Sequence, residues 1–421
     1  MIPREISRFT DLSIHGFRRL LDVQLPLRPL SVMIGANGTG KTSVLDVFSL
    51  LAKSAQGKLS ESISEFSGLS SILTYDRAEE LRLGISMLIL GHEALMDYSL
   101  NLKPQSVGYL VNEERLSEKN TGDQDSFLRI YSRGADVNYF RDTRDGQGLF
   151  YYEIPGGSDL SNRPPGLPSS LDGLIELKSP VHPNWEYKPL ESSLSQVPKM
   201  FRQPEEFRNR LASSTLYHAL NVDPRSPVRL PQPMQPATLP GRNGEDLISC
   251  LFYLRETERN RFETIEDTLR SAFPRFDRLD FPPVAAGTLA LAWREKGFSK
   301  PLYMHQLSEG TLRFLWLATL LQSPGLTALT LIDEPEVSLH PELLSLLADM
   351  MREASSRTQL VVATHSDRLI RFLQPNEVVV MDADEDGMTS MKWADELDLE
   401  AWLRDFSLDE LWSNGRLGAR A

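Results

Sequence analysis

Cysteine is nearly absent: Cys250 is the only one in 421 residues, which excludes an intramolecular disulfide and points to a reducing compartment. Positive charge is also in short supply. Lysine and arginine number 45 against 58 acidic residues, a net charge of −13, so no bulk positive field draws the chain onto nucleic acid or an anionic membrane. A local basic groove remains compatible with that balance. The opening MIPREISRFTD lacks the apolar core of a signal peptide. No uncharged apolar run approaches the ~18 residues of a membrane span. Repeats and sustained heptads are missing, which excludes a long coiled-coil arm. The expectation is a cytoplasmic protein with no membrane partner, long enough for two or three domains or for one large α/β domain carrying an insertion.

What is present centres on residues 31–51, SVMIGANGTGKTSVLDVFSLL. A short apolar strand (Val32, Met33, Ile34) runs into a glycine-rich turn and then a helix starting near Lys41. Gly35, Ala36, Asn37, Gly38, Thr39, Gly40, Lys41 and Thr42 fit G-x-x-x-x-G-K-[ST], the phosphate-binding P-loop. Glycines let several backbone N–H groups turn inward as an anion nest, and the helix aims its positive end at the same point. Lys41 is positioned to reach β and γ phosphates, and the Thr42 hydroxyl to ligate Mg²⁺. A glycine-rich turn that binds nothing is the bland alternative, and the strand–turn–helix context weighs against it.

Residues 9–34 read as antiparallel strands leading to that turn, with Pro26 marking an edge. In the helix that follows, Val44, Leu45, Phe48, Leu51 and Ala52 recur at helical spacing. From 55 to 242 the character changes. Residues 70–155 read as a β-meander, 155–200 as an irregular stretch rich in Pro, Ser and Gly, and 204–220 as a helix. Six prolines between Pro224 and Pro240 then mark an extended connector. Regular structure resumes near Asn243 with one helix or two in sequence ending before Pro274. Strands around 276–281 and 288–293 come next. Strand 326–332, helix 341–354, strand 359–363, helix 366–373 and strand 377–381 then alternate, the α/β signature. The implied organisation is 1–54, an inserted lobe at 55–242, a returning half at 243–395 and a tail at 396–421.

Three motifs in the second half carry chemistry. The strand LTALTLIDEP ends in Asp333 and Glu334, and strand ends of a parallel sheet open at the ligand crevice. Asp333 is thereby placed to hold Mg²⁺ directly or through water, and Glu334 to act as general base on the attacking water. The six residues between Glu334 and Pro341 make simple helix capping a weaker explanation. The next apolar strand ends at His365. A lone histidine is ordinarily structural, but behind Asp333 and Glu334 a γ-phosphate contact is the better reading. Finally, Ser308, Glu309 and Gly310 open an apolar helix, a second phosphate-facing helix N-terminus. One nucleotide needs only one P-loop, so this second site points to a pocket closed by another protomer.

In this order the elements resemble an ABC-type ATPase head of the RecF/SMC kind, most nearly the stand-alone RecF-like ATPases of bacteria. Gly35–Thr42 matches Walker A, Leu307–Gly310 the signature motif, Leu329–Glu334 Walker B, Ser338–Pro341 the D-loop and His365 the switch histidine. The opening IHGFRRL at 14–20 is similar to the start of such heads, and the likeness covers roughly residues 8–54 and 243–390. It implies an α/β P-loop NTPase with a mixed sheet core, an antiparallel N-terminal sheet and an inserted, partly β and irregular lobe. It also implies ATP and Mg²⁺ as cofactors and a homodimer that sandwiches ATP. In it the nucleotide lies between the Walker A residues, including Ser43, of one copy and Ser308, Glu309 and Gly310 of the other. Arg18 is implied as a contact to base or ribose. Glu309 and Thr311 depart from the patterns of many relatives. Gln56 and Gln105 are the candidates for the Q-loop glutamine. The acidic run 382–387 is similar to part of a Toprim nuclease cluster, but too little chain follows for such a domain.

Two functions of different class follow. One is a dimeric ATPase acting on DNA, in repair or in defence against phage or plasmid. The other is an ATP-dependent switch that holds or releases a separately encoded effector, a nuclease or toxin. The wide separation of Walker A from the signature argues against a transporter subunit.

Overall fold

The computed structural model describes residues 7–89, 94–106, 108–120, 126–134, 136–139, 152–153, 186–285, 287–397 and 406–415. Strands β1 (Arg8–Phe17) and β2 (Leu20–Pro26) come first, and β3 (Leu30–Gly35) leads through the glycine turn into α1 (Lys41–Ala55). Helices α2 (Leu59–Glu65) and α3 (Leu69–Ile72) precede β4 (Leu81–Ile89), β5 (Ala94–Gln105), β6 (Gly108–Asn120), β7 (Ser126–Arg133), β8 (Asp136–Tyr139) and β9 (Tyr152–Glu153). After them come α4 (Arg202–Ala212), β10 (Thr215–Tyr217), β11 (Gln232–Pro233), α5 (Leu247–Thr257) and α6 (Arg259–Ala272). Short strands β12 (Phe276–Asp280), β13 (Pro283–Ala285), β14 (Thr288–Leu289), β15 (Ala292–Glu295) and β16 (Leu302–Tyr303) lead to α7 (Glu309–Gln322). Then β17 (Leu329–Asp333), α8 (Leu344–Ala354), β18 (Gln359–Thr364), α9 (Asp367–Ile370), β19 (Val378–Ala383), β20 (Thr389–Trp393) and α10 (Leu408–Ser413) complete the described chain.

Two compact units share these elements. The first comprises Met1–Leu27, Asp46–Ser214 and Ala383–Met391. Its antiparallel sheet runs β2-β1-β4-β5-β6-β7-β8-β9, so the meander expected after residue 70 continues the N-terminal hairpin through the β1–β4 pairing, Leu12 opposite Ile85. Strict alternation explains it: Leu12, Ile14, Leu83, Ile85, Tyr98 and Leu100 are all buried, and a period of two puts them on one face. Phe207 of α4 packs edge-on against Phe9 at 6.2 Å between ring centroids. Pro26 closes β2, the edge strand, where its missing N–H costs no ladder bond. The buried Glu114 carboxylate accepts from Ser193 N (2.6 Å), Leu194 N (2.9 Å), the Ser192 hydroxyl (2.7 Å) and Tyr98 OH (2.9 Å). It thereby ties the irregular stretch after residue 186 to the sheet. The remainder of the stretch read as irregular, 155–185, lies outside the described residues.

The second unit comprises Arg28–Leu45, Thr215–Asp382 and Lys392–Ala421. Its main sheet is ordered β10-β17-β18-β3-β19-β20, with β10, β17, β18, β3 and β19 parallel. Every residue of β3 is buried, as a central strand covered on both faces requires. One apolar core joins these strands to α5, α6, α7 and α8, with Leu251, Ile265, Leu315 and Leu347 fully enclosed.

The structure corrects several expected boundaries. The helix expected over 204–220 stops at Ala212. Thr215, Leu216 and Tyr217 instead form β10, paired with Thr330, Leu331 and Ile332, because a β-branched and aromatic run beside an open parallel edge gains more from pairing than from extending a helix. The proline-rich 224–240 is extended but not a bare connector: Val228 is fully buried in the core and β11 pairs with β14. The helix expected over 366–373 is only Asp367–Ile370.

Candidate functional site

Register brings the motifs together. Within the second unit, Thr364 lies opposite Ile34, Asp333 opposite Ala363, and Met381 opposite Gly35. The C-terminal ends of β3, β17 and β18 therefore share one edge of the sheet, the edge at which parallel α/β folds take ligands. Strand β18 lies between the other two, so His365 emerges between the glycine turn and the acidic pair.

The turn is built for close approach. A Cβ on Gly35 would meet the Met381 carbonyl oxygen and the Thr39 Oγ1, each at 2.5 Å, so only glycine fits there. Gly38 and Gly40 have φ of 80° and 96°, a region L side chains avoid. Thr39 Oγ1 donates to the Ala36 carbonyl at 2.9 Å, and α1 starts with Val44 N donating to Gly40 O at 3.0 Å. Lys41 is buried, with Nζ donating to the carbonyls of Gly35 (2.6 Å) and Ala36 (3.0 Å). Burial pushes its pKa down to about 8 against the upward pull of Glu334, Asp333 and Glu336. Asn37, Gly38 and Thr42 are exposed, so the turn's tip and the first hydroxyl of α1 are accessible to a ligand.

Beyond β17 the chain makes an unusual turn. Glu334 adopts a left-handed φ of 49° while its N–H donates to Ala363 O at 2.8 Å. His365 Nε2 is 3.1 Å from Glu334 Oε1. Burial, first, and then the Lys41 cation lower the His365 pKa against the upward pull of Glu334 and Asp333. Two further residues gather here that the sequence reading did not single out. His218, just past β10, has Nδ1 3.5 Å from Asp333 Oδ2. Glu336 accepts from Thr364 Oγ1 and, at 3.2 Å, from His365 N. The second glutamate of Asp-Glu-Pro-Glu was a visible signal for Glu336. His218 was hidden because its strand was read as helix.

Ser308 is the N-cap of α7: its Oγ accepts from Thr311 N at 3.2 Å and lies 2.8 Å from Thr311 Oγ1. Ser308 and Glu309 are exposed, at the opposite extreme from the apolar interior that Leu312, Leu315 and Trp316 of the same helix enter. Gly310 has a role within its own chain, since a Cβ there would lie 2.7 Å from the Ser338 carbonyl oxygen. Arg313 NH1 donates to Val337 O (3.2 Å) and to Ser338 Oγ (3.1 Å). The segment after β17 is thus gripped by the start of α7.

Arg18 belongs to the first unit, where NH1 meets Asp46 Oδ2 at 2.6 Å and the guanidinium lies over the rings of Phe17 (5.1 Å) and Phe66 (5.5 Å). Gln56 donates to Ala212 O at 2.5 Å, and Gln105 is exposed at the end of β5. The acidic run 382–387 is the end of β19 and a turn in which Asp384 Oδ1 accepts from the amides of Asp386 (3.0 Å) and Met388 (2.8 Å). Among the described residues no three acidic, histidine or cysteine side chains converge on a metal position.

A family model described as "AAA domain, putative AbiEii toxin, Type IV TA system" matches residues 30–371. The chain belongs to this family. The match spans both halves of the site, from the glycine turn to His365. Among solved structures, this AAA domain protein is similar to an Smc head domain with an extended coiled coil, bound to the C-terminal domain of ScpA, from Pyrococcus furiosus. The TM-score is 0.50 at 13% identity, over 95% of this chain and 100% of that one. A second Smc head, bound to the C-winged helix domain of ScpA, gives a TM-score of 0.49 at 16% identity, over 91% and 97%. A search of curated proteins returns no match. The fold is the SMC-head, ABC-ATPase type of P-loop α/β fold, with a mixed-sheet core and an antiparallel sheet, as the motifs implied. Among the described residues no helix is long and apolar enough to cross a membrane.

Proposed function

We propose that this AAA domain protein binds ATP with Mg²⁺, hydrolyses it, and dimerises around it. The observation that carries the proposal is the convergence of Lys41, Asp333, Glu334 and His365 at one edge of the parallel sheet through the register of β3, β17 and β18. The residues fit the ligand. Gly35 admits no side chain, Gly38 and Gly40 bend the turn as an anion nest demands, and a buried lysine stands at the mouth. Thr42 and Asp333 supply hard oxygen donors of the kind Mg²⁺ takes together with phosphate oxygens. Bound there, Mg²⁺ supplies charge neutralisation at the phosphates.

The chain's own groups do the rest. Lys41 leaves the carbonyls of Gly35 and Ala36 to pair with the β and γ phosphates. Glu334 accepts a proton from the attacking water, and His365 orients Glu334 and reaches toward the γ-phosphate. Ser308, Glu309 and Gly310 of a second copy complete the pocket. The exposure of Ser308 at the N-terminus of α7 supports this, because a backbone amide cluster capped by a hydroxyl is free to meet an anion. Arg18 serves as a base or ribose contact only if it leaves Asp46.

The biological output we infer is defence or repair. The family description, which names a type IV TA system, favours defence, and the net charge of −13 favours a separately encoded protein effector as the partner over DNA. ATP turnover by the purified chain and by Lys41→Ala tests the enzymatic core: turnover that Lys41→Ala leaves intact rejects it. A salt-sensitive DNA shift with stimulated turnover favours the DNA reading. Stable co-purification with a neighbour-encoded protein favours the effector.

A further inference from the structure

Three acidic side chains, Asp333 at the end of β17 and Glu334 and Glu336 just past it, come in quick succession, and hydrolysis as proposed above uses the first two. The third, Glu336, reaches across to the end of β18. Its Oε1 accepts from the Thr364 hydroxyl and from the His365 amide at 3.2 Å. The same hydroxyl accepts from Ser366 N at 2.9 Å, so its single proton is committed to Glu336 and its orientation is fixed from both sides. The imidazole carried by that amide then returns to the first segment, Nε2 lying 3.1 Å from Glu334 Oε1. The contacts close a ring: Glu334, the backbone to Glu336, the Glu336 carboxyl, the His365 backbone, the His365 ring and Glu334 again.

Such a ring has a physical purpose here. Glu334 holds a left-handed φ of 49°, a conformation that persists only where the surroundings over-determine it. The far end of the segment is held separately by Arg313 on Val337 O and Ser338 Oγ, while the Glu334 side chain meets the His365 ring. The Glu336 Oε1 is taken up by its two donors, and Oε2 is buried with no hydrogen-bond partner among the described residues.

We propose that Glu336 is a positioning residue: by gripping the Thr364–His365 peptide it sets the His365 ring against Glu334, and Glu336 and His365 act on Glu334 as one unit. The claim rests on the hydrolytic reading for its consequence but not for its geometry, and two readouts separate them. The first needs no turnover. In the full chain labelled with ¹⁵N-histidine, the His365 imidazole resonance is assigned by its loss in His365→Ala. Glu336→Ala should shift and broaden it, whereas Glu336→Gln, which keeps the Oε1 acceptor, should leave it in place. The second is steady-state ATP turnover. Glu336→Ala should lower kcat about tenfold or more, with KM for ATP within about twofold of the parent. Glu336→Gln should restore most of the rate, and Glu336→Ala combined with His365→Ala should be no slower than His365→Ala alone.

An unmoved His365 resonance in Glu336→Ala overturns the proposal, and so does a double variant slowed by the product of the two single effects. If Glu336→Ala does not fold, Thr364→Val, which removes one donor to Oε1 at nearly constant shape, takes its place with the same expected shift and the same overturning result. If the parent has no turnover dependent on Lys41, the hydrolytic reading fails while the resonance still decides the positioning claim.

Discussion

Lys41 is the residue on which charge and function conflict. In the native site its pKa falls to about 8 from 10.5, so between those values the unfolded chain holds a proton that the folded chain has shed. Stability therefore rises with pH across that window, since it rises wherever the unfolded state binds more protons. Affinity for a triphosphate runs the other way, because the free protein loses its ammonium above about pH 8. Titrating a fluorescent ATP analogue from pH 7 to 9.5 should show affinity dropping through a step near pH 8, and Lys41→Ala should bind weakly with no step. In the first unit, Glu114 is raised by burial and serves four donors. Glu114→Ala should cost about 2–4 kcal/mol in denaturant unfolding, because two backbone amides are left buried and unpaired.

Residues that announce themselves locally were legible in the sequence. Lys41 and Thr42 follow fixed glycines, Asp333 and Glu334 end an apolar run, and Ser308 caps an apolar helix. Glu336 carried a local signal, the second glutamate of Asp-Glu-Pro-Glu, but its role was not legible, and His218 was not legible at all. Their partners lie far off in sequence, on β18 and β17, and only the pairing of strands makes them neighbours.

At the scale of elements, the parallel strands are specified by what surrounds them. The buried runs of β3, β17 and β18 could be read directly, since a strand covered on both faces must be apolar throughout. The helix read over 204–220 failed because Thr215–Tyr217 have a partner in β17 that local propensity cannot register. The contact between α7 and the segment after β17 was likewise invisible, yet it gives Gly310 a second reason to be glycine. Gly310→Ala should disturb that segment within a single chain, since backbone rather than a movable side chain stands 2.7 Å from the new Cβ. The thermal midpoint of Gly310→Ala without nucleotide should fall by about 1–3 °C, which for 421 residues corresponds to about 1–3 kcal/mol. An unchanged midpoint would leave Gly310 with a role only toward a second copy.

For the whole molecule, the antiparallel sheet of the first unit and the parallel sheet of the second follow from alternation and from buried runs, and both could be anticipated. The assembly was anticipated too, from Ser308 to Gly310 opening a second phosphate-facing helix N-terminus, and it stands as a proposal: that surface of a second copy would complete the pocket for ATP. The measurement that tests this most directly is sedimentation of Glu334→Gln with and without Mg-ATP, beside the same variant carrying Ser308→Arg. Glu334→Gln should be monomeric alone and dimeric with Mg-ATP, and the added Ser308→Arg should still bind nucleotide but stay monomeric. A Glu334→Gln protein that binds ATP and remains monomeric at every concentration, or a dimer indifferent to Ser308→Arg, would contradict the account.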